Sequence, residues 1–235
     1  MNSFWILCFI VILGMVVIYA SMAIPYHKST YYRDTHKLFL FLIMDKGAYG
    51  EYLTYKCLKS YEQKGAKFLF NCYLPAKDGE TSEIDVMMIH SSGIYVFESK
   101  NYSGWIFGNE NQKTWTQSLP QGRGSHKEKF YNPIMQNRTH VKWLLKQIGM
   151  EDPIYNIIVF SERCELKKVT VTSNDINIIK RNQLPALVRK LEKNKGEVLP
   201  GERIKHVYDF LYPFTKVSSA IKESHVRNIE EKYKV

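Results

Sequence analysis

Glu98 and Lys100 stand two positions apart in the run IYVFESKNY, and Asp85 lies thirteen residues before Glu98 in EIDVMMIH. On a β-strand, residues i and i+2 share a face, so Glu98 and Lys100 point one way while Tyr95, Phe97 and Ser99 point the other. Asp85 is flanked by Ile84, Val86, Met87, Met88 and Ile89, where a carboxylate is costly unless it is paired or holds a cation. Two carboxylates on adjacent strands of a hairpin, with a lysine beside one of them, supply what metal-assisted phosphodiester hydrolysis needs. Their oxygens suit a hard divalent cation such as Mg²⁺, which stabilises charge on the phosphate and lowers the pKa of bound water, and the lysine positions or deprotonates that water. Glu-x-Lys alone fits equally well a solvated strand face carrying an i, i+2 ion pair. Asp85 is the residue that shifts the balance.

The elements that would position these residues follow from periodicity. KFLFNCYLP and SEIDVMMIH, separated by Pro75, Asp78 and Gly79, read as a hairpin, and Ser91-Ser92-Gly93 turns the chain into a third strand, IYVFESKNY. Ahead of them, Leu53, Cys57 and Tyr61 recur at spacing four and predict an amphipathic helix from about Ala48 to Tyr61, ended near Gly65. GWIFG continues as a further strand, and the polar stretch from Gln117 to Phe130 reads as a loop. Asn132-Pro133 is a helix start, with Ile134, Val141, Leu145 and Ile148 at helical spacing and Gly149 as the stop. Gln136, His140, Trp143 and Gln147 fall on an arc beside that apolar one. PIYNIIVFS reads as a buried strand, KVTVTS as a strand, QLPALVRKLEKN as a short helix, and the last twenty residues as a charged helix or a frayed tail.

The chain has 235 residues, 45% hydrophobic and 24% charged, which excludes disordered, collagenous and disulfide-scaffold classes. Its cysteines, Cys8, Cys57, Cys72 and Cys164, form no C-x-x-C pair, which argues against zinc and thioredoxin-type sites. A net charge of +10 suits a polyanionic partner, nucleic acid or an anionic membrane. Arg123, Lys127 and Lys129, with His126, make the segment before the later helix basic and able to contact phosphate without reading sequence, or simply to be solvated. His140 is a further phosphate contact, or an exposed histidine with no such duty. From Phe4 to Ile24 the chain carries no charge and is long enough to cross the roughly 30 Å hydrocarbon core. Lys28, Arg33 and Lys37 follow against Asp34, which favours a cytoplasmic domain behind a single-pass anchor in the cell membrane. The apolar run Leu38 to Met44 is too short to span and reads as a buried or interfacial helix segment.

KGAYGE ahead of a helix, EID, Gly93 with IYVFESKNYSG, Trp115, NPIMQ opening a helix and the strand IIVF come in the order seen in the nuclease-related domain family, NERD, and the chain resembles it over about residues 46–161. NERD belongs with the PD-(D/E)xK, restriction-endonuclease-like nucleases. The resemblance implies an α/β fold, a mixed sheet flanked by helices, here preceded by one N-terminal transmembrane helix. The expected organisation is an anchor at 1–27, a juxtamembrane segment at 28–45, the nuclease-related core at 46–161 and an extension of the same domain at 162–235, with no separate boundary after Ser29. By resemblance Asp85, Glu98 and the Ser99 carbonyl hold Mg²⁺ or Mn²⁺, Lys100 is the catalytic lysine, Glu51 adds a water-mediated metal contact, and Gln136 orients the active site or the DNA. Ser99 departs from the hydrophobic residue many relatives carry, on the side chain that faces away. The implied function is a membrane-anchored metal-dependent nuclease acting on DNA or RNA, with nucleic acid, DNA first, and the bilayer as partners. The alternative is an inactive nucleic-acid-binding or adaptor module.

Overall fold

The apolar run near the start forms one helix, α1 (Ser3–His27), whose side chains from Phe4 to Ile18 are mostly exposed. Ser29 caps a short helix, α2 (Thr30–Thr35), its hydroxyl accepting from the Tyr32 N–H at 3.2 Å, and His36 ends it in the left-handed region. The next helix, α3 (Phe39–Met44), covers most of the second apolar run. Asp45 then accepts from the Ala48 N–H at 3.1 Å at the start of α4 (Lys46–Leu58). This computed structural model describes residues 3–122, 124–150 and 152–233, and the chain falls into two compact units divided between Tyr49 and Gly50.

The second unit is a mixed α/β arrangement of two sheets. Its larger sheet has the order β1 (Lys67–Pro75), β2 (Thr81–His90), β3 (Gly93–Lys100), β7 (Ile154–Phe160), β9 (Ile176–Lys180). The hairpin-linked strands pair antiparallel, while β3–β7 and β7–β9 are parallel. The smaller sheet runs β6 (Gly124–Tyr131), β5 (Thr114–Gln121), β4 (Gly104–Asn109), β8 (Cys164–Thr170). Trp115, fully buried, stacks on Phe160 with centroids 6.2 Å apart. The helices are α5 (Pro133–Ile148), α6 (Leu184–Lys195), α7 (Gly201–Leu211) and α8 (Ser219–Tyr233). One core joins Leu69, Met87, Val96 and Leu144 to Ile204, Val207 and Leu211, so α5 and α7 share the burial of this sheet.

Three sequence expectations shift. The stretch Gln117–Phe130 is not a loop but most of the β5–β6 hairpin, registered from Thr114↔Tyr131 to Gln121↔Gly124. Residues 124–129 are all exposed, so β6 has no buried side over that length and lacks the apolar alternation by which a strand is recognised. The helical face of α4 is turned as well: Tyr52, Tyr55 and Leu58 are buried while Leu53 and Cys57 are only half-buried. Tyr55 packs edge-on against Phe68 at 5.1 Å and Phe70 at 5.2 Å, large rings that decide the orientation. The α-helix also stops at Leu58, and Lys59–Lys64 continues as a 3₁₀ turn capped by Gly65 at φ 84°.

The β1–β2 ladder passes from Phe70↔Val86 to Cys72↔Ile84, skipping Asn71 and Asp85. Asn71 adopts φ 50°, and the inward-facing positions change parity there: Leu69 shares the core with Cys72 and Leu74, and Met87 and Ile89 share it with Ile84. The kink therefore takes Asp85 out of regular pairing at the point where β2 reaches the site. The Asn71 Oδ1 atom is buried without a hydrogen-bond partner among the described residues, so Asn71 is suited to its place by backbone conformation rather than by side-chain bonding. Asn71→Val, a branched residue in the left-handed region, is expected to lower stability by about 1–2 kcal/mol, with Asn71→Gly costing less. Urea unfolding midpoints of the detergent-solubilised chain measure both.

Candidate active site

Val86↔Phe97 is the last rung of the β2–β3 pairing toward the site, and Asp85 and Glu98 are the next residue on each strand. Asp85 Oδ2 accepts the Ser99 backbone N–H at 3.0 Å, closing the gap where the strands part. Glu98 is almost fully buried, 1% exposed. Its Oε1 takes the Lys100 ammonium at 2.7 Å, the pairing that strand periodicity predicts. Lys100 Nζ also donates to Gln136 Oε1 at 3.0 Å, which brings the start of α5 to the end of β3. Thus Asp85, Glu98, Lys100 and Gln136 meet. Glu51, half-buried on α4, is near enough for its charge to act on Asp85.

α4 is held against this strand end by close backbone approach. A side chain at Gly50 would come within 2.7 Å of Asn101 Cβ and 3.2 Å of Ser99 Oγ. Thr54 Oγ1 lies 3.2 Å from Ser99 Oγ, so the Ser99 side chain, on the far face from Glu98, is part of the α4 contact. Buried Arg181 completes the joint, donating to the Gly50 carbonyl at 3.3 Å, Asn101 Oδ1 at 3.3 Å and Glu162 at 3.1 Å. On the other side Asn132 accepts from the Ile134 N–H at 2.9 Å and donates to the Glu110 and Gln112 carbonyls, which fixes the entry of α5.

His140 is not on an exposed face. It is buried in the stripe that α5 turns inward with Ile134, Asn137 and Leu144, where sequence periodicity places Val141 and Leu145. Its Nδ1 sits 2.7 Å from Ser82 Oγ and its Nε2 3.2 Å from Glu98 Oε2. Neither Nε2 nor Oε2 has another hydrogen-bond partner among the described residues, so the two face each other as buried polar atoms. The proton placement that serves both ends has Ser82 donating to Nδ1 and the remaining ring proton on Nε2, facing the carboxylate.

The carboxylates differ electrostatically. Burial pushes Asp85 well above the usual carboxyl range, and Glu98 and Glu51 push it further, against Lys100 and the Ser99 N–H. Burial acts the same way on Glu98, yet the Lys100 charge and His140 outweigh it and hold this carboxyl below its ordinary value. For Lys100, burial favours the neutral form, but Glu98, Tyr102 and Asp85 together raise the ammonium above the ordinary lysine range. Glu98 and Lys100 thus hold each other charged, while Asp85 is pushed toward its neutral form.

These groups open into a cleft of about 570 Å³ lined by Asp85, Lys100, Gln136 and His140. Exposed Lys77, Lys129 and Lys142 are on its wall. Of the basic residues singled out in the sequence, Lys129 lines the cleft, Lys127 is exposed on the same strand without lining it, and Arg123 lies outside the described residues. Sequence reasoning missed Glu83 and His225, which also line the cleft. His225, from α8, lies with Nδ1 2.9 Å from Thr81 Oγ1 and Nε2 3.5 Å from Glu83. Burial raises Glu83 and lowers His225. Glu83 was legible as the i−2 neighbour of Asp85 on one strand face; nothing local marks His225. Among the described residues no three His, Cys, Asp or Glu side chains converge as a ready-made metal cage.

Replacing His140 by Leu removes the ring nitrogen 3.2 Å from the buried Glu98 Oε2, which has no hydrogen-bond partner among the described residues. The expected loss is about 1–3 kcal/mol of unfolding free energy, partly restored in His140→Gln, which returns an N–H; urea titration of the detergent-solubilised chain reads it.

The sequence comparisons fall on this same region. The nuclease-related domain, NERD, matches residues 46–161, a range that contains Glu51, Asp85, Glu98, Lys100 and Gln136. An uncharacterized protein of Bacillus anthracis is 30% identical over 191 residues, covering 80% of this chain and 85% of its own. No solved structure matches. With that domain match and that relative, the chain belongs to the NERD family of nuclease-related domains.

Proposed function

We propose that this protein is a membrane-anchored nuclease that hydrolyses phosphodiester bonds in DNA or RNA with Mg²⁺ or Mn²⁺. The observation that carries the reading is the meeting of Asp85, Glu98 and Lys100, from adjacent strands, with Gln136, beside a cleft that Asp85, Lys100 and Gln136 line. The donor chemistry fits a hard divalent cation: the ligands available are oxygens, and Mg²⁺ is commonly held by one or two carboxylates with water rather than by a full protein cage. Asp85, Glu98 and the Ser99 carbonyl would hold the ion. When bound, such an ion neutralises phosphate charge and acidifies a water.

The chain's own residues supply the rest. Lys100 Nζ has three N–H donors, of which Glu98 and Gln136 take two, and the third serves the attacking water or a phosphoryl oxygen. Gln136 fixes the direction of that donor, and His140 fixes the Glu98 carboxylate from its other oxygen. Glu51 adds negative charge beside Asp85. Lys77, Lys129 and Lys142 contact the substrate backbone without reading sequence. α1 is the anchor, and Lys28, Arg33 and Lys37 after it favour a cytoplasmic domain. A second reading, a nucleic-acid-binding or adaptor module without turnover, draws on the absence of three converging side-chain donors among the described residues.

Full-length protein in detergent, given labelled single- and double-stranded DNA and RNA, is expected to cleave with Mg²⁺ or Mn²⁺ and not with EDTA. Lys100→Ala is expected to lose about 10²–10⁴-fold in rate while keeping its circular dichroism spectrum. Unchanged turnover in that variant would sink the mechanism, and binding without cleavage by the parent chain would move the reading to the adaptor.

Removing Lys77, Lys129 and Lys142 together by alanine substitution should weaken binding to all sequences alike. For each phosphate left unneutralised the salt slope of log affinity falls by about 0.7–0.9, so the slope of the triple variant is expected to be shallower by about two to three units. Fluorescence anisotropy across a salt series measures it.

A further inference from the structure

The short apolar run Leu38–Met44 cannot cross a membrane, yet most of it is bare. α3 turns Phe39 and Leu42 inward, while Leu38, Leu40, Phe41, Ile43 and Met44 are exposed, from 39% at Ile43 to 72% at Met44. None of these side chains carries a hydrogen-bonding group. A surface of this kind needs a partner that is apolar throughout, since protein interfaces normally combine apolar anchors with polar contacts.

The location of α3 identifies that partner. Phe39 packs edge-on against Tyr19 of α1, centroids 5.3 Å apart, and tilted at 46° against Tyr26 at 5.4 Å. Tyr26 is fully buried and donates its hydroxyl to the Lys37 carbonyl, which turns the chain back along α1 just before α3. Tyr19 lies five residues inside Ile24, the last residue of the uncharged span, or about 7.5 Å along the helix axis at 1.5 Å per residue. Helices that lie in a membrane interface bury their apolar faces by about 5–10 Å. Lys28, Arg33, Lys37 and Lys46 outnumber Asp34 and Asp45 around the run, Lys37 pairing with Asp45, and the remaining positive charge suits anionic headgroups.

We propose that α3 is a membrane hook: it enters the leaflet through which α1 leaves, laying Leu40, Phe41, Ile43 and Met44 among the acyl chains. The chain then meets the bilayer twice, at a spanning helix and at an embedded return. The proposal rests on the reading of α1 as the anchor and is independent of cleavage.

The test is photo-crosslinking of the full-length chain in vesicles of phosphatidylcholine and phosphatidylglycerol. A benzoylphenylalanine replaces Phe41 in one sample, Ile12 of α1 in a second and Lys127 of β6 in a third. The expected result is a mass shift of one phospholipid on the chain at positions 41 and 12, and none at 127. A phospholipid shift at 12 without one at 41 overturns the hook and leaves the anchor standing. A chain-to-chain adduct at 41 in place of lipid also overturns it, and assigns the surface to a second copy. No lipid adduct at 12 overturns both readings.

Discussion

A carboxylate almost wholly removed from water, Glu98, sits on the middle strand of the larger sheet. Burying such a charge is costly unless its partners are close and well placed, and much of the second unit is arranged to place them. Lys100 comes from the same strand at the i+2 position and His140 from α5, whose Gln136 holds Lys100. α5 in turn is fixed at its entry by Asn132, which caps it and ties it to the β4–β5 turn. Farther along, Arg138 joins α5 to Glu110 at 2.7 Å and to Asp175 at 3.0 Å, and Glu110 takes the Thr172 and Ser173 backbone N–H groups. The smaller sheet and the loop before β9 therefore bear on where the helix lies, and through it on the carboxylate.

The two carboxyl groups beside each other on β2 and β3 are driven apart. Glu98 has the lysine and the histidine and stays anionic; Asp85 has one backbone N–H and two acidic neighbours. Groups of one chemical type thus acquire different electrostatic states from their surroundings. The backbone kink at Asn71 contributes, because it releases Asp85 from the regular ladder and lets its oxygen reach across to Ser99.

What was legible in the sequence was what rests on local periodicity or on adjacent strands. The Glu98–Lys100 face, the β1–β2–β3 meander and the capped start of α5 follow from period-two alternation and from the Asn132-Pro133 pair. The inward stripe of α5 was misjudged because it carries Asn137 and His140, polar residues satisfied by tertiary contacts: Asn137 donates to Asn156 Oδ1 at 2.8 Å, and His140 faces Glu98. A hydrophobicity pattern cannot anticipate such pairs. β6 escaped notice for the opposite reason, as an edge strand with exposed residues that present no apolar side. His225 reaches Glu83 from a helix 142 positions later (225 − 83), where only the folded chain brings the two together.

The buried face of β1 and β2 is completed by α7, far along the chain: Cys72 Sγ contacts the Leu211 carbonyl across 139 positions. Synthesis runs from α1 toward α7, so the apolar helix α1 leaves the ribosome well before the sheet can bury Leu69, Cys72 and Leu74. Long-range closure of this kind is slow compared with local helix formation. The sheet therefore closes late, with its central hairpin exposed in the interval. At that stage the risk to the chain is association between half-folded copies through the exposed hairpin, and the arrival of α7 ends it.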